Sequence, residues 1–409
     1  MNVVMVHNYY GSSAPSGENE VFEAECQLLQ EKGEEVIKFT RHSDDIRKRG
    51  VIGTIEGGLS TPWNQFSLLR LKKMLRSKMP TILHVHNSFP LLSPSIFYSC
   101  KGTNISPVLT LHNYRTFCAA GIPMRGGKSC TECIEKRSVW PALKHGCYRN
   151  SRIATLPIAV MVELHRRLKT WERRVDAFIA LTSFQREALS NGGLPRHLVH
   201  VKPHFYPNAP EPLALSDREL KVVFMGRLGI EKGVHVLLKA WKRWGNAAPL
   251  IEMIGDGPER PALEDMVRTF GLADKVKIIG QLPFAEAQAR LARSRLLVVP
   301  SVWFEGFPMV IREALALGVP VAASNLGSMP CLVEEALTGT LFEPGDPEDL
   351  LRKVAAAWAE QGRLAVWGKA ARREFEQKYT ADANFAILMG IYEKAIARRK
   401  QRIARIYSH

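Results

Sequence analysis

Short apolar runs rich in Val and Ile alternate along the chain with longer stretches in which apolar residues recur at helical spacing. In the first half the runs are VVMVH at 3–7, EVIKF at 35–39, TILHVH at 81–86, SPVLTLH at 106–112 and AFIALT at 177–182. The pattern restarts with KVVFMG at 221–226, LIEMIG at 250–255, VKIIG at 276–280, LLVVP at 296–300 and VPVAAS at 319–324. Runs of this length between helical patterns predict parallel strands buried on both faces by crossover helices. Two α/β halves are therefore expected. The stretch 202–220 (KPHFYPNAPEPLALSDREL) holds four prolines and follows neither period, so it marks the connection between them. The predicted organisation is an N-terminal domain over 1–206, a C-terminal domain over 207–380, and a last helical segment, 381–409, that crosses back to the first domain.

A length of 409 residues accommodates two such domains, and 46% apolar with 23% charged residues is the balance of an ordered globular protein. Fifty-six Lys and Arg against forty Asp and Glu give a net charge of +16, a field that draws nucleotides, nucleic acid or acidic lipid. Nucleic acid is set aside, because the chain has no aromatic-interleaved basic strand, helix-turn-helix pattern or histidine-containing finger spacing. The start, MNVVMVH, has no basic leader, and no run of about eighteen apolar residues follows, so the expected compartment is the cytoplasm. Three basic amphipathic stretches, 67–78 (SLLRLKKMLRSK), 165–174 (HRRLKTWERR) and 395–405 (AIARRKQRIAR), suit peripheral attachment to the anionic inner face of a membrane.

The chemistry concentrates in 300–320, PSVWFEGFPMVIREALALGVP, which runs from a strand end through a Gly-Phe-Pro turn into a helix. Pro308 suits the first helical position, and the free N–H groups of Met309 and Val310 then stand at the positive end of the helix dipole, where a phosphate is stabilised. Glu305 precedes this helix and Glu313 lies inside it, so two carboxylates can accept hydrogen bonds from the hydroxyls of one extended ligand. The strand at 221–226 leads into Gly226-Arg227-Leu228-Gly229-Ile230-Glu231-Lys232-Gly233, placing two cations in a βα loop. The strand at 250–255 leads into Gly255-Asp256-Gly257-Pro258-Glu259. All three loops are expected at the edge where α/β sheets bind ligands, and Arg227 with Lys232 can neutralise a diphosphate.

The segments GRLGIEKG, IGDGPE, VVPSVWFEGFPMVIREALALGVPVAAS and TGTLFEPGDPEDL together resemble the donor domain of retaining GT-B glycosyltransferases of family 4, the group 1 transferases. The resemblance covers most of 221–352. It implies a GT-B fold, two Rossmann-like doubly wound domains whose parallel sheets face a central cleft. It implies that Glu305 meets the donor sugar, Glu313 the ribose, and that Gly306, Phe307, Met309 and Val310 line the donor with main-chain groups. Arg227 and Lys232 would hold the diphosphate, with Gly255 and Asp256 beside them. The partners implied are a nucleotide-diphosphate sugar and a saccharide or lipid-linked acceptor, in surface polysaccharide or glycolipid assembly. Where many members carry Gly-Gly-x-Pro-Glu, this chain has Gly327-Ser328-Met329-Pro330-Cys331, so a role for a Glu there does not carry over. No Asp-x-Asp occurs, so the usual metal clamp lacks its ligands and transfer is expected without a metal cofactor; the resemblance implies retention of anomeric configuration. A GT-B-like sugar epimerase or phosphorylase is the alternative reading.

In the first half, a small-residue loop after the first strand ends at Gly17, the one glycine of the family's diphosphate-facing loop that this chain keeps. His112 ends the strand at 106–112, and the resemblance places it near the transferred sugar. His84 and His86 are expected to wall the acceptor side, with Arg115 adding positive charge. Cys118, Cys130, Cys133 and Cys147 follow at C-x11-C-x2-C-x13-C. Two readings stand for these: a structural zinc held by four thiolates, or metal-free thiols in a loop.

Overall fold

The computed structural model describes residues 1–11 and 17–407, with side chains to 405. Positions 12–16, most of the loop leading to Gly17, lie outside the described residues. The chain divides into two compact units. The first comprises Met1–Pro123, Thr131–Pro203 and Asn384–His409; the second comprises Met124–Cys130 and His204–Ala383.

In the first unit the strands are β1 (Asn2–Tyr9), β2 (Glu35–His42), β3 (Ile82–Asn87) and β4 (Ser106–Thr110). A short hairpin, β5 (Met124–Arg125) with β6 (Lys128–Ser129), groups with the second unit, and β7 (Ala177–Ala180) and β8 (Val199–Val201) complete the first sheet. That sheet is parallel throughout, in the order β2-β1-β3-β4-β7-β8. All six residues of β3 are buried, as a strand covered on both faces requires. Helix Ala381–Tyr407 packs on this sheet: Leu388, Ile391, Tyr392 and Ala395 share one apolar cluster with Val3, Met5, Phe22 and Ile82.

The second unit repeats the plan with β9 (Lys221–Met225), β10 (Leu250–Ile254), β11 (Val276–Gly280), β12 (Leu296–Val299), β13 (Val321–Ser324) and β14 (Gly339–Phe342). Its sheet is also parallel, in the order β11-β10-β9-β12-β13-β14. The strand order reverses between β9 and β12, which is the switch point where an open α/β sheet leaves a crevice beyond its strand ends. Its core gathers Val222, Phe224, Trp241, Leu263, Val298 and Leu350.

Two boundaries depart from 1–206 and 207–380. Residues 204–206 belong to the second unit because its side chains hold them: His204 packs edge-on against Phe307 at 5.3 Å, and the Tyr206 N–H donates to the Tyr379 carbonyl over 3.0 Å. Residues 124–130 join it because Ser129 donates to the Val302 carbonyl at 3.3 Å, a contact that no local period encodes.

Candidate functional site

The loops that follow β9, β10 and β12 are fastened to one another by backbone contacts that only glycine permits. A Cβ on Gly255 (φ +134°) would stand 2.0 Å from the Gly226 carbonyl oxygen, and one on Gly257 would stand 2.4 Å from that of Leu228. A Cβ on Gly233 (φ +67°) would stand 1.8 Å from the Pro300 carbonyl oxygen. The glycines of GRLGIEKG and GDGPE thus draw three loops into one surface at the switch point.

On that surface the Lys232 ammonium donates to Glu305 Oε1 at 2.7 Å, and Ser301 donates to the same oxygen at 2.6 Å. The Glu305 side chain is 6% exposed and that of Lys232 is 23% exposed, so the pair is partly desolvated. Arg227 is exposed on the same β9 loop and makes no hydrogen bond or ion pair among the described residues. Asp256 caps its own loop, accepting from the Gly257 N–H at 2.7 Å and from Arg260 at 3.0 Å. It therefore shapes the loop at Gly255.

Helix Met309–Ala316 begins one residue later than the sequence suggests: Pro308 is the N-cap, in extended conformation, with no side-chain cap. Met309 and Val310 are then the first two helical residues, whose N–H groups have no intrahelical acceptor. Gly306 and Phe307 are buried in the turn before them. Glu313 is 5% exposed, and its carboxylate accepts from Gln288 at 2.8 Å and from Arg312 at 3.2 Å. Both oxygens are therefore already engaged by neighbours.

Two residues of this site were not singled out from the sequence, although they sit within four positions of Glu305. One is Ser301. The other is Trp303, whose ring lies 6.0 Å from the Lys232 ammonium and whose Nε1 is buried with no hydrogen-bond partner among the described residues. A cavity of about 730 Å³ in the second unit lies elsewhere: it is lined by Pro212, Arg218, Gly318, Leu364 and Arg372, beyond the C-terminal end of helix Met309–Ala316.

In the first unit His112 stands just past β4, and its Nε2 lies 3.1 Å from Nδ1 of His86. Both line a cavity of about 60 Å³ with Asn113, Arg115 and Trp171. His86 Nε2 faces Glu25 Oε1 at 3.3 Å, and Glu25 Oε2 accepts from the buried Lys202 ammonium at 2.6 Å. Burial pushes the Glu25 carboxyl up, but Lys202, His86 and His84 outweigh it and hold the group well below its ordinary range. Glu25 went unnoticed in the sequence, where a lone acid sits among buried Val21, Phe22, Leu28 and Leu29 on one face of helix Gly17–Glu31.

His84 corrects the expectation of a wall residue. It is fully buried, with Nδ1 at 2.8 Å from the Tyr392 hydroxyl and Nε2 at 2.8 Å from Thr110, so both nitrogens serve the core. Burial drives its pKa well below the usual value. Arg115 is turned onto its own loop, donating to the Ala119 and Ala120 carbonyls and lying 4.1 Å from the centre of the Phe89 ring. Gly17 is the first residue of helix Gly17–Glu31.

Among the described residues, one group of three or more His, Cys, Asp or Glu places its ligand atoms within 4.8 Å of one another: Glu25, His84 and His86. The Lys202 ammonium already neutralises that carboxylate. The four clustered cysteines form no disulfide and, among the described residues, no such group. Cys133 and Cys147 pack against the apolar cluster of Phe89, Val139 and Ile158, and burial raises the Cys118 thiol.

The basic stretch at 395–405 is also corrected. Arg398, Arg399 and Arg402 turn inward onto the buried Asp176, and Arg399 donates further to the Cys100 and Thr103 carbonyls. An unpaired buried carboxylate would be costly, and these arginines prevent it. Likewise His165 is buried between Thr170 and the Pro62 carbonyl, and Arg166 and Arg167 both pair with Glu163.

Comparison with known proteins bears chiefly on the second unit. Residues 206–374 match the family model for glycosyl transferases group 1. The glycosyltransferase WcaL of Escherichia coli K12, named for colanic acid biosynthesis, is 27% identical over 218 residues, covering 51% of this chain and 54% of its own. The sulfoquinovosyl transferase SQD2 of Arabidopsis thaliana is 25% identical over 385 residues, 88% of this chain and 68% of its own. The chain thus spans about half the length of the first relative. A crystal structure of HepE from Anabaena in complex with UDP superposes over 100% of both chains with a TM-score of 0.62 and 16% identity. These matches give the chain the GT-B fold and make its second unit similar to the glycosyl transferases group 1, and they do not favour an epimerase or phosphorylase.

Proposed function

We propose that this chain is a retaining glycosyltransferase of family 4 that moves a sugar from a nucleotide-diphosphate sugar to a saccharide or lipid-linked acceptor, in polysaccharide or glycolipid assembly. The observation that carries the reading is the Lys232–Glu305–Ser301 cluster beside an uncapped helix N-terminus, on three loops locked together by glycine. A diphosphate is a dianion at least, and fixed positive charge with main-chain amides is what stabilises it as it departs. The fold likeness to HepE, whose structure was solved with UDP, supports a nucleoside diphosphate as the ligand.

In the proposed reaction the bond from the anomeric carbon to the diphosphate oxygen breaks and its electron pair stays with the diphosphate. Lys232, Arg227 and the Met309 and Val310 N–H groups receive that charge. The acceptor hydroxyl oxygen bonds the anomeric carbon on the same face, and its proton passes to the departing phosphate oxygen. Glu305 accepts from a donor-sugar hydroxyl and Glu313 from the ribose. No divalent ion is assigned to the transfer. The cysteine set, if it binds zinc, would brace the loop containing Pro123 to Lys128 rather than take part.

A thermal-shift panel of UDP, GDP and ADP sugars tests the reading, because a ligand well above its Kd raises the folded state's stability by mass action. Stabilisation by one nucleotide family, followed by formation of free nucleotide diphosphate and an α-configured glycoside from an α-configured donor, is expected. No shift with any member, or an inverted product, rejects it.

A further inference from the structure

Helix Gly50–Ser60 (GVIGTIEGGLS), in the first unit, is packed inside out. Its buried residues are Gly53 and Gly57. A Cβ on Gly53 would meet the Ile46 carbonyl oxygen at 2.2 Å, and one on Gly57 would meet Ile46 Cδ1 at 3.0 Å, so the small face is pressed against the preceding turn. The large side chains point the other way: Val51, Ile52, Ile55 and Leu59 are 76%, 68%, 57% and 76% exposed. At about 100° per residue these four share an arc of about 100° opposite the glycines. An ordinary surface helix of a globular protein turns such a stripe toward the core.

A second apolar stripe lies alongside. Helix Arg152–Arg167 buries Ile158, Met161 and Val162, yet also exposes Ile153 at 86%, with Leu156 and Val160 on the same side. A Cβ on Gly58 would touch Pro157 at 3.7 Å, which puts the two helices side by side with the stripes flanking the contact. Around this double stripe the chain carries exposed Arg47, Lys48 and Arg49 ahead of the first helix, exposed Lys144 and Arg149 ahead of the second, and exposed Arg152 as the second helix's first residue. The acids nearby are Asp44 and Asp45 with Glu56, and Glu56 pairs with Arg49 at 2.8 Å.

We propose that this face is a docking surface for an anionic phospholipid bilayer, with the two stripes seated in the headgroup–acyl boundary and the cations among the headgroups. Charge complementarity selects the bilayer over a second copy of the chain. A two-fold contact would set each cationic rim against its own image, whereas an anionic membrane neutralises it. The surface is distinct from the basic stretch at 395–405, whose arginines are used internally. The proposal is independent of the transferase reading, because its assay contains no sugar.

The test is flotation of the full chain with phosphatidylcholine vesicles, with and without phosphatidylglycerol, at physiological salt. The wild-type chain is expected to float with the anionic vesicles and more weakly with the neutral ones. The double variant Ile52→Asp/Leu59→Asp is expected to lose about ten-fold or more in partitioning, since aspartate cannot enter the apolar boundary, with its circular dichroism and Tm unchanged because these side chains touch little of the fold. A wild-type chain that stays in solution, or a double variant that floats equally well, overturns the proposal. So does a dimeric wild-type chain that the double variant turns into a monomer by light scattering with vesicle binding unaltered.

Discussion

The Lys232 ammonium and the Glu305 carboxylate meet at 2.7 Å although 73 residues separate them in the chain. The contact exists because Gly233 lets the β9 loop approach the Pro300 carbonyl so closely that Lys232 is delivered beside the turn after β12. One cation and one hydrogen-bond acceptor are thereby offered to a ligand together, and Ser301 fixes the carboxylate from its other side.

Removing either member should damage transfer more than folding. Lys232→Ala leaves Glu305 with Ser301 as a donor but takes away the charge that faces the departing diphosphate. A loss of about 10²–10³ in kcat is expected, the range for deleting one preorganised electrostatic donor. Glu305→Gln keeps the shape and loses the acceptor strength, and a comparable loss is expected. Steady-state kinetics on both variants, with circular dichroism as a folding check, measures this. Near-normal turnover in both would remove the pair from the site.

The glycine contacts give a sharper geometrical prediction. Gly255→Ala and Gly233→Ala each combine a positive φ with a Cβ at 2.0 Å or 1.8 Å from a carbonyl oxygen. About 1–3 kcal/mol of stability should be lost in each, and the nucleotide-induced thermal shift should vanish as the loops separate. Gly245→Ala is the control, since Gly245 also has a positive φ but nothing within 4 Å of its Cβ. It should keep the thermal shift. Equal behaviour of all three in urea denaturation and thermal shift would mean that the loops tolerate separation.

Trp303 carries a prediction of another kind. Its buried Nε1 has no partner among the described residues, and a donor left unpaired away from water is a standing cost that a ligand oxygen would relieve. Trp303→Phe removes the donor while keeping most of the ring. Donor affinity measured by calorimetry should fall about ten-fold, equivalent to about 1.4 kcal/mol, while Tm holds or rises slightly. Unchanged affinity with a raised Tm would show that the indole serves no ligand.

Much of this was legible in the sequence, for reasons that differ by residue. The strands at 3–7 and 221–226 announce themselves as continuous Val-rich runs because a parallel sheet is buried on both faces. Glu305, Lys232 and Gly255 were legible because loops at a switch point carry their chemistry in short contiguous motifs. What escaped was what depends on distant partners. Whether Arg398, Arg399 and Arg402 face solvent or Asp176 is decided by a carboxylate more than 200 positions away, and periodicity carries no trace of it. His84 and His86 share a strand face, yet Tyr392 makes one a core residue while the other lines a cavity. The outward stripe of helix Gly50–Ser60 escaped for the opposite reason. Its spacing is that of an ordinary amphipathic helix, and the two glycines on its other side reveal the inversion only once Ile46 is seen against them.

Acid should destabilise this protein through its buried histidines well before its carboxylates matter. Burial pushes His7 and His165 down to about 4, the hydrogen bonds that His7 donates to Asn19 Oδ1 and His165 to the Pro62 carbonyl only partly opposing it, and drives His84 well below its usual value. All three fold neutral. As pH falls below the unfolded value of about 6.5, the unfolded chain binds protons that the folded chain refuses, so stability must drop with falling pH. The slope reaches about 1.4 kcal/mol per pH unit for each such histidine until the folded pKa is approached. Glu25 acts in the same direction in a lower window: its depressed folded pKa gives stability that is present above the ordinary carboxylate range and lost as pH falls through the folded value. Urea midpoints measured from pH 7.5 downward should therefore decline steadily between about 6.5 and 4. In His165→Gln, which can still bond the Pro62 carbonyl, the decline should be shallower by one histidine's share. A midpoint that stays level across that interval would mean that these imidazoles reach water in the folded protein.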